Sequence, residues 1–112
     1  METLKHDIEI KRGTDFSLLL RLEQDNGSPF DLTGATALAR LRESLTAPST
    51  VDFTVTIPTP INGELNVKLA AASTGSLTTG KWIWDLILTL TDGTIWSPLE
   101  GVAIVRGGAS YG

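Results

Sequence analysis

The chain has 112 residues, 41% of them apolar, with no cysteine and a formal net charge of −4 at neutral pH. The absence of cysteine excludes disulfides, thiolate metal sites and a cysteine nucleophile. No basic cluster and no long apolar window occur in the chain, so we expect neither nucleic acid nor a membrane as a partner.

The first part of the chain predicts two short strands. Ile8 and Ile10 alternate with charged residues, as in a strand with one buried face. After a turn at 12–15, apolar residues recur at every second position over 16–22. Residues 25–29 end this strand, because they are types that tolerate or impose turn geometry.

The middle of the chain contains two further strand patterns and one ambiguous segment. Residues 35–42 contain helix-favouring alanine, leucine and arginine, but we predict a strand because Gly34 bounds the segment and its neighbours are strands. The predicted elements are, in chain order, a strand at 35–42, a loop at 43–50, one strand at 51–57, a tight turn at 62–63, a strand at 65–69 and a single helical turn within 70–79.

The most informative segment is 77–105, which predicts one long β-hairpin. Asp92-Gly93 supplies the positive φ angles that a tight hairpin turn requires. A second apolar strand follows the turn, and all three tryptophans of the chain lie in this segment. Large side chains occupy every second position of its first strand, which places them on one face: Trp82, Trp84, Leu86, Leu88 and Leu90.

About seven strands separated by regular turn signals predict an all-β fold. We expect a single immunoglobulin-like antiparallel β-sandwich over residues 1–112, with a small barrel as the competing architecture. Short flexible tails are expected at 1–6 and 106–112, where charged or glycine-rich residues flank the strands.

The start of the hairpin carries a further sandwich feature. In immunoglobulin-like folds a tyrosine near the start of a late strand clamps the preceding loop. Leu77, Gly80 and Trp82 have the spacing of that motif, with tryptophan in place of tyrosine. Trp82 is therefore interpreted as a core residue, or as a clamp whose indole N–H donates to a loop carbonyl.

The residues that carry chemistry do not form a recognisable catalytic set. His6 is the only histidine and lies in the N-terminal tail, where we expect an exposed imidazole. Asp85 is unusual, because it is a charge within an apolar strand, opposite the Trp82 and Trp84 face. It either pairs with an arginine across the sheet, Arg40 or Arg42, or faces a subunit interface. We predict a non-enzyme with no catalytic residues, no cofactor and no metal site.

Four segments, in their order and spacing, resemble a known family. The chain is similar to small tailed-phage virion proteins related to the N-terminal domain of the phage baseplate upper protein. The resemblance covers nearly the whole chain, from residue 8 to 105. The resembling features are Ile8–Phe16 with its Arg-Gly-Thr-Asp turn, Asp25–Gly34 with its Asp-Leu-Thr-Gly link, Leu77–Leu86, and Asp92-Gly93 followed by Leu99–Val105.

This resemblance implies a non-enzymatic virion structural protein, assembled in the bacterial host cytoplasm and located in the virion. Larger members of the family continue into receptor-binding domains, whereas this chain stops at Gly112. We therefore expect a stand-alone adaptor or connector in the tail, baseplate or fibre, with capsid decoration as the alternative. Expected partners are other virion proteins and further copies of the chain in a cyclic homo-oligomer.

Two hypotheses from other classes remain open. Three tryptophans in one hairpin fit a carbohydrate-binding sandwich, provided that Trp96 is exposed. An enzyme using paired carboxylates has only Asp31, Asp85 and Asp92 to offer, and ranks last. The structural or interface candidates are Trp82, Trp84, Asp85, Trp96, Asp31 and Gly80.

Overall fold

The computed structural model describes residues 3–108, and these residues form nine strands and two short helical turns. The helical turns are a 3-10 turn at Pro60–Asn62 and the one-turn helix α1 (Ala71–Thr74). The strands are β1 (Leu4–Lys5), β2 (Ile8–Lys11), β3 (Phe16–Arg21), β4 (Thr36–Arg42), β5 (Val51–Asp52), β6 (Thr54–Thr56), β7 (Glu64–Leu69), β8 (Gly80–Thr89) and β9 (Ile95–Arg106).

The strands are divided between a larger and a smaller sheet. In the larger sheet β9 pairs with β8, β8 with β4 and β4 with β5, while β1 and β2 both pair with the outer edge of β9. In the smaller sheet β7 lies between β3 and β6. The predicted all-β sandwich is confirmed. Its pairs are antiparallel except for β1 and β2, which run parallel to β9.

The core lies between the two sheets and consists of alternate side chains from each strand. Trp82, Trp84, Leu86 and Leu88 of β8 are buried, as their alternation predicts. They face Leu65, Val67 and Leu69 of β7 and the inward side chains of the other strands. Burying a side chain of this size stabilises the fold by about 1.5–3 kcal/mol. The alternation of β8 therefore determines which of its faces points away from the core.

The single strand predicted at 51–57 is wrong, because the chain changes sheets at Phe53. Residues 51–52 pair with β4 of the larger sheet, and residues 54–56 pair with β7 of the smaller one. The Phe53 N–H donates to the Ala39 carbonyl (2.9 Å), and its ring meets Trp84 edge-on. A strand that switches sheets keeps its alternation, so the sequence pattern does not reveal the switch.

The turn of the β8–β9 hairpin is longer than predicted. Gly93 has a φ of 88°, but the described residues other than glycine have no positive φ, so Asp92 does not. The Leu90 N–H donates to the Thr94 carbonyl (2.8 Å) and the Gly93 N–H donates to the Leu90 carbonyl (2.9 Å). Asp92 instead accepts the Thr94 N–H on its side chain.

The N-terminal tail predicted at 1–6 is ordered from residue 4, since Leu4 and Lys5 form β1 against β9. The expectation of an exposed His6 is also wrong. His6 is half-buried. Its backbone N–H donates to the Glu100 carbonyl (2.8 Å), and the centre of its ring lies 6.2 Å from that of Trp84. This parallel pairing joins the two ends of the chain, which local sequence patterns do not report. The C-terminal tail predicted at 106–112 is likewise ordered at its start, since Arg106 is the last residue of β9 and pairs with Lys11. Residues 1–2 and 109–112 lie outside the described residues.

Candidate interaction surface

The side of the larger sheet that faces away from the core carries large apolar side chains. Leu38 is 37% exposed, and Ile83, Ile87, Val102 and Ile104 are half-buried. Outward positions of antiparallel sheets are usually polar, so this concentration indicates a surface suited to contact with another molecule. We define the outer face by Leu38, Arg40 and Arg42 from β4, Ile83, Asp85 and Ile87 from β8, and Glu100, Val102 and Ile104 from β9.

A row of charged side chains crosses the outer face at right angles to the strands. The strand register places one charge from each of five neighbouring strands side by side. Leu38 and Ile87 lie next to each other on one side of the row, and Ile83 and Val102 lie on the other. The row therefore runs between two apolar strips. From one edge of the sheet to the other it consists of Lys5, Glu100, Asp85, Arg40 and Asp52.

Asp85 lies at the centre of this row without a direct ionic partner among residues 3–108. Arg40 is its register neighbour, but the Arg40 Nε donates to the Asp52 Oδ1 (2.9 Å) at the edge of the sheet. Burial raises the pKa of Asp85, the charge of Glu100 raises it further, and Arg42 and Arg40 lower it in part. The predicted pairing of Asp85 with an arginine is therefore wrong as a direct contact, since both arginines act only at a distance.

The outer face contains a depression of about 420 Å³ above the charged row. Asp85 and Glu100 line it together with the apolar strips, and Leu45, which is 84% exposed, contributes from the loop after β4. The two neighbouring carboxylates are surrounded there by apolar side chains and by the basic side chains of Lys5, Arg40 and Arg42. Because none of these basic side chains forms an ion pair with Asp85, its carboxylate is open to a lysine or arginine carried on an apolar partner surface.

Within residues 3–108, no three histidine, aspartate or glutamate side chains are placed to hold a metal ion. His6 packs its ring on Trp84. The chemistry available on the outer face is the burial of apolar area together with charge attraction, which serves binding.

Asp31 and Asp92 have local structural roles in turns. The Asp31 Oδ1 accepts the Thr33 N–H (2.9 Å) and the Thr33 hydroxyl (2.6 Å). The Asp92 Oδ1 accepts the Thr94 N–H (2.9 Å). Hydrogen bonds donated by the side chains of Thr33 and Thr94, and next by their backbone N–H groups, lower the pKa of Asp31 and of Asp92. Both exposed carboxylates are ionised turn caps.

Trp82 and Trp84 are buried and each makes one directed hydrogen bond. The Trp82 indole N–H donates to the Thr78 carbonyl (2.9 Å), which is the loop clamp considered from the sequence. The Trp84 indole N–H donates to the His6 carbonyl (2.8 Å) and so connects β8 to the segment between β1 and β2. Gly80 begins β8 with a φ of +126°, a conformation that residues with a side chain rarely adopt.

Trp96 lies away from the outer face, beside a groove at the lateral edge of the sandwich. Its ring is half-buried and packs at 5.1 Å from Phe30, with a tilt of 44°. The carbohydrate-binding hypothesis required an exposed Trp96, and this ring does not present an open platform. We define the lateral groove, of about 850 Å³, by Leu4 and His6 near β1, Leu19–Asn26 from β3 and the turn after it, Phe30, and Trp96, Pro98 and Leu99 from β9.

Sequence reasoning identified Asp85 but missed most of the residues around it. Ile83 and Ile87 were visible as apolar residues opposite the tryptophan face, a pattern typical of a strand covered on both sides. Val102 and Leu38 complete the strips only through the register of β9 and β4 on β8. The lateral groove combines residues from distant parts of the chain, so no local signal predicts it.

No helix among residues 3–108 is long and apolar enough to span a bilayer. No family model and no curated protein matches the chain. Among solved structures, the chain is similar to the Lin-41 filamin domain, with a TM-score of 0.51 and 16% identity over 89% of this chain and 84% of that chain. It is also similar to the Listeria monocytogenes internalin-like protein lmo2027, with a TM-score of 0.43 and 15% identity over 94% of this chain and 30% of that chain. The likeness to the filamin domain shows an immunoglobulin-like β-sandwich fold.

Proposed function

We propose that this chain is a non-enzymatic structural protein of a tailed-phage virion, acting as an adaptor or connector in the tail, baseplate or fibre. The virion assignment is supported by the ordered resemblance to the baseplate upper protein family over residues 8–105. The adaptor role is supported by the outer face, which joins apolar strips to a central acidic pair. Its partners are other virion proteins and, in a cyclic arrangement, further copies of the chain.

The observation that carries the adaptor role is the position of Asp85. A half-buried carboxylate among apolar side chains, without a direct ionic partner, makes the isolated domain less stable than a neutral residue would. Residues that lower stability in this way are common where a protein acts on another molecule. A partner lysine or arginine above Asp85 and Glu100 would offset that cost, while its apolar surroundings cover Ile83, Ile87 and Val102.

Purified phage particles provide the test of this proposal. Quantitative mass spectrometry is expected to find the chain at a copy number that matches a cyclic symmetry of the particle. Electron cryo-microscopy is expected to place it on the tail, baseplate or fibre with the outer face covered by a neighbouring chain. A location on the head would instead support capsid decoration. Absence from particles, or an outer face open to solvent, would contradict the proposal.

A further inference from the structure

The smaller sheet ends in a free strand edge. β3 pairs with β7 through a continuous register from Phe16 opposite Leu69 to Arg21 opposite Glu64. No strand among residues 3–108 pairs with the other side of β3, because β1 and β2 join the larger sheet. A row of backbone donors and acceptors along β3 is therefore open to an additional strand.

The hydrogen-bond pattern between β3 and β7 identifies which backbone groups of β3 have no partner strand among the described strands. The Leu22 N–H donates to the Gly63 carbonyl (2.8 Å), which continues the register of β3 on β7. Since antiparallel ladders alternate, the residues of β3 with even numbers point their N–H and C=O groups towards β7. Ser17, Leu19 and Arg21 consequently point theirs away from the sheet.

Apart from the charge of Arg21, the edge of β3 lacks the features that usually protect sheet edges. It contains no proline, its register shows no bulge, and Leu19 is 60% exposed. By contrast, β5 and β6 have two and three residues, and the other edge is divided into β1 and β2. Proteins generally shorten, interrupt or charge an exposed edge to prevent pairing. Among the described strands, β3 is thus the one best suited to accept a partner strand.

The lateral groove lies beside the second half of this edge, where Leu19–Arg21 of β3 line it, and it continues along residues 22–26. Leu4, Trp96 and Leu99 form an apolar wall opposite β3, and Glu23 and Asp25 stand at one end. Six extended residues span about 20 Å, which is the length of β3. A strand placed on the edge would direct alternate side chains towards the apolar wall, since side chains alternate between the two faces of a sheet.

We propose that the lateral groove binds an extended segment of a partner protein, which pairs with β3 as a fourth strand of the smaller sheet. The backbone groups of Ser17, Leu19 and Arg21 form the ladder with that segment. The segment is apolar at alternate positions and carries a lysine or arginine near Glu23 and Asp25. The inference deepens the proposed function and rests on it, since a strand contributed by a neighbour is one way in which an adaptor holds that neighbour.

The test presents the purified full chain with a peptide library of about eight residues, the length of a strand. Valine, leucine or isoleucine alternates with threonine, serine or lysine in this library, and a library of the same composition in shuffled order is the control. We expect enrichment of alternating peptides only. Enrichment from neither library, or equally from both, would overturn the inference.

Two variants locate the binding of the enriched peptides. Leu19→Pro removes an N–H that faces the groove without touching the ladder to β7, so fluorescence polarisation should show binding about tenfold weaker. Ile61→Asp is the control, because Ile61 is 66% exposed and lies outside the groove lining, and this variant should bind as the natural chain does. Leu4→Asp, in an apolar wall residue that is 60% exposed, should also weaken binding and serves if Leu19→Pro fails to fold. Undiminished binding by the folded variants would overturn the inference.

The library experiment is independent of the particle. Groove binding by a chain that is absent from particles would overturn the virion proposal and leave this inference standing. A chain found in particles whose groove binds no alternating peptide would overturn this inference alone.

Discussion

Asp85 is the residue of the outer face whose pKa is shifted from its ordinary value. Its pKa is raised first by burial and then by Glu100, and the two arginines of β4 compensate only in part. The raised pKa means that the folded chain disfavours the charged form. The neutral carboxyl therefore contributes to the stability of the fold below pH 3.8, which is the pKa of Asp85 in the unfolded chain. This contribution is lost as the pH rises through the higher pKa that Asp85 has in the folded chain.

Asp85→Asn is expected to stabilise the isolated domain at neutral pH. The gain should be about 0.5–1 kcal/mol, because solvent still screens a half-buried group. The difference from the natural chain should shrink as the pH falls through the raised pKa of Asp85 and below 3.8, where its carboxyl is neutral. Thermal unfolding across this pH range measures it. A variant that is less stable at neutral pH would show that Asp85 is satisfied within the domain.

Asp31→Ala is expected to have the opposite pH dependence. The hydrogen bonds from Thr33 lower the pKa of Asp31. The ionised carboxylate therefore stabilises the fold above pH 3.8, and this stabilisation is lost as the pH falls through the lowered pKa. The variant should therefore unfold at a lower temperature than the natural chain at neutral pH, with the gap closing in acid. A gap that is constant with pH would mean that the carboxylate charge has no part in the turn.

Trp84→Phe is expected to destabilise the domain more than Trp82→Phe does. The first change leaves the half-buried His6 carbonyl without its donor, at a cost of about 1–3 kcal/mol. The second affects a bond to Thr78, which is exposed, so water replaces the indole. Urea unfolding of both variants compares the two costs. Equal losses would assign the role of Trp84 to its ring volume alone.

At the scale of elements, the break between β1 and β2 depends on a close approach to β9. A Cβ on Gly101 would overlap the His6 carbonyl and crowd the Asp7 Oδ1. At this break the Asp7 Oδ1 accepts the Val102 N–H (2.9 Å), in place of a backbone partner. Two strands that are separated by a kink therefore share one edge of β9.

Gly101→Ala should separate this kink from β9. Forcing an extra carbon between packed backbones costs about 1–3 kcal/mol, and the Val102 amide should lose protection from hydrogen exchange. Gly93→Ala is the matched control, since nothing lies within 4 Å of its Cβ and only the positive φ adds a cost. Unchanged protection of Val102 in Gly101→Ala would contradict the close approach.

The elements differ in how far the sequence predicts them. The alternation of β8 is a local property, so both its buried face and the unusual position of Asp85 could be inferred. The sheet switch at Phe53 preserves alternation, and β1 depends on a parallel partner about 95 residues away. From the sequence, Asp85 was accordingly the one candidate residue of the outer face, and the lateral groove was not predicted.

At the scale of the whole molecule, the sandwich presents two distinct surfaces for assembly. The outer face has apolar strips on both sides of a row of charged residues on the larger sheet, and the lateral groove lies beside the free edge of the smaller one. One suits the folded surface of a neighbour, the other an extended segment. A small domain with both surfaces can contact two neighbours at once, as the proposed role of an adaptor requires.

The incorporation of outer-face variants into phage particles tests the central claim most directly. Ile87→Asp places a charge within an apolar strip, while Thr56→Asp places the same charge on an exposed position of β6. Thermal unfolding first establishes that both chains fold, and quantitative mass spectrometry then measures each in purified particles. We expect Ile87→Asp to be reduced at least about tenfold and Thr56→Asp to match the natural chain. Normal incorporation of Ile87→Asp would contradict the account.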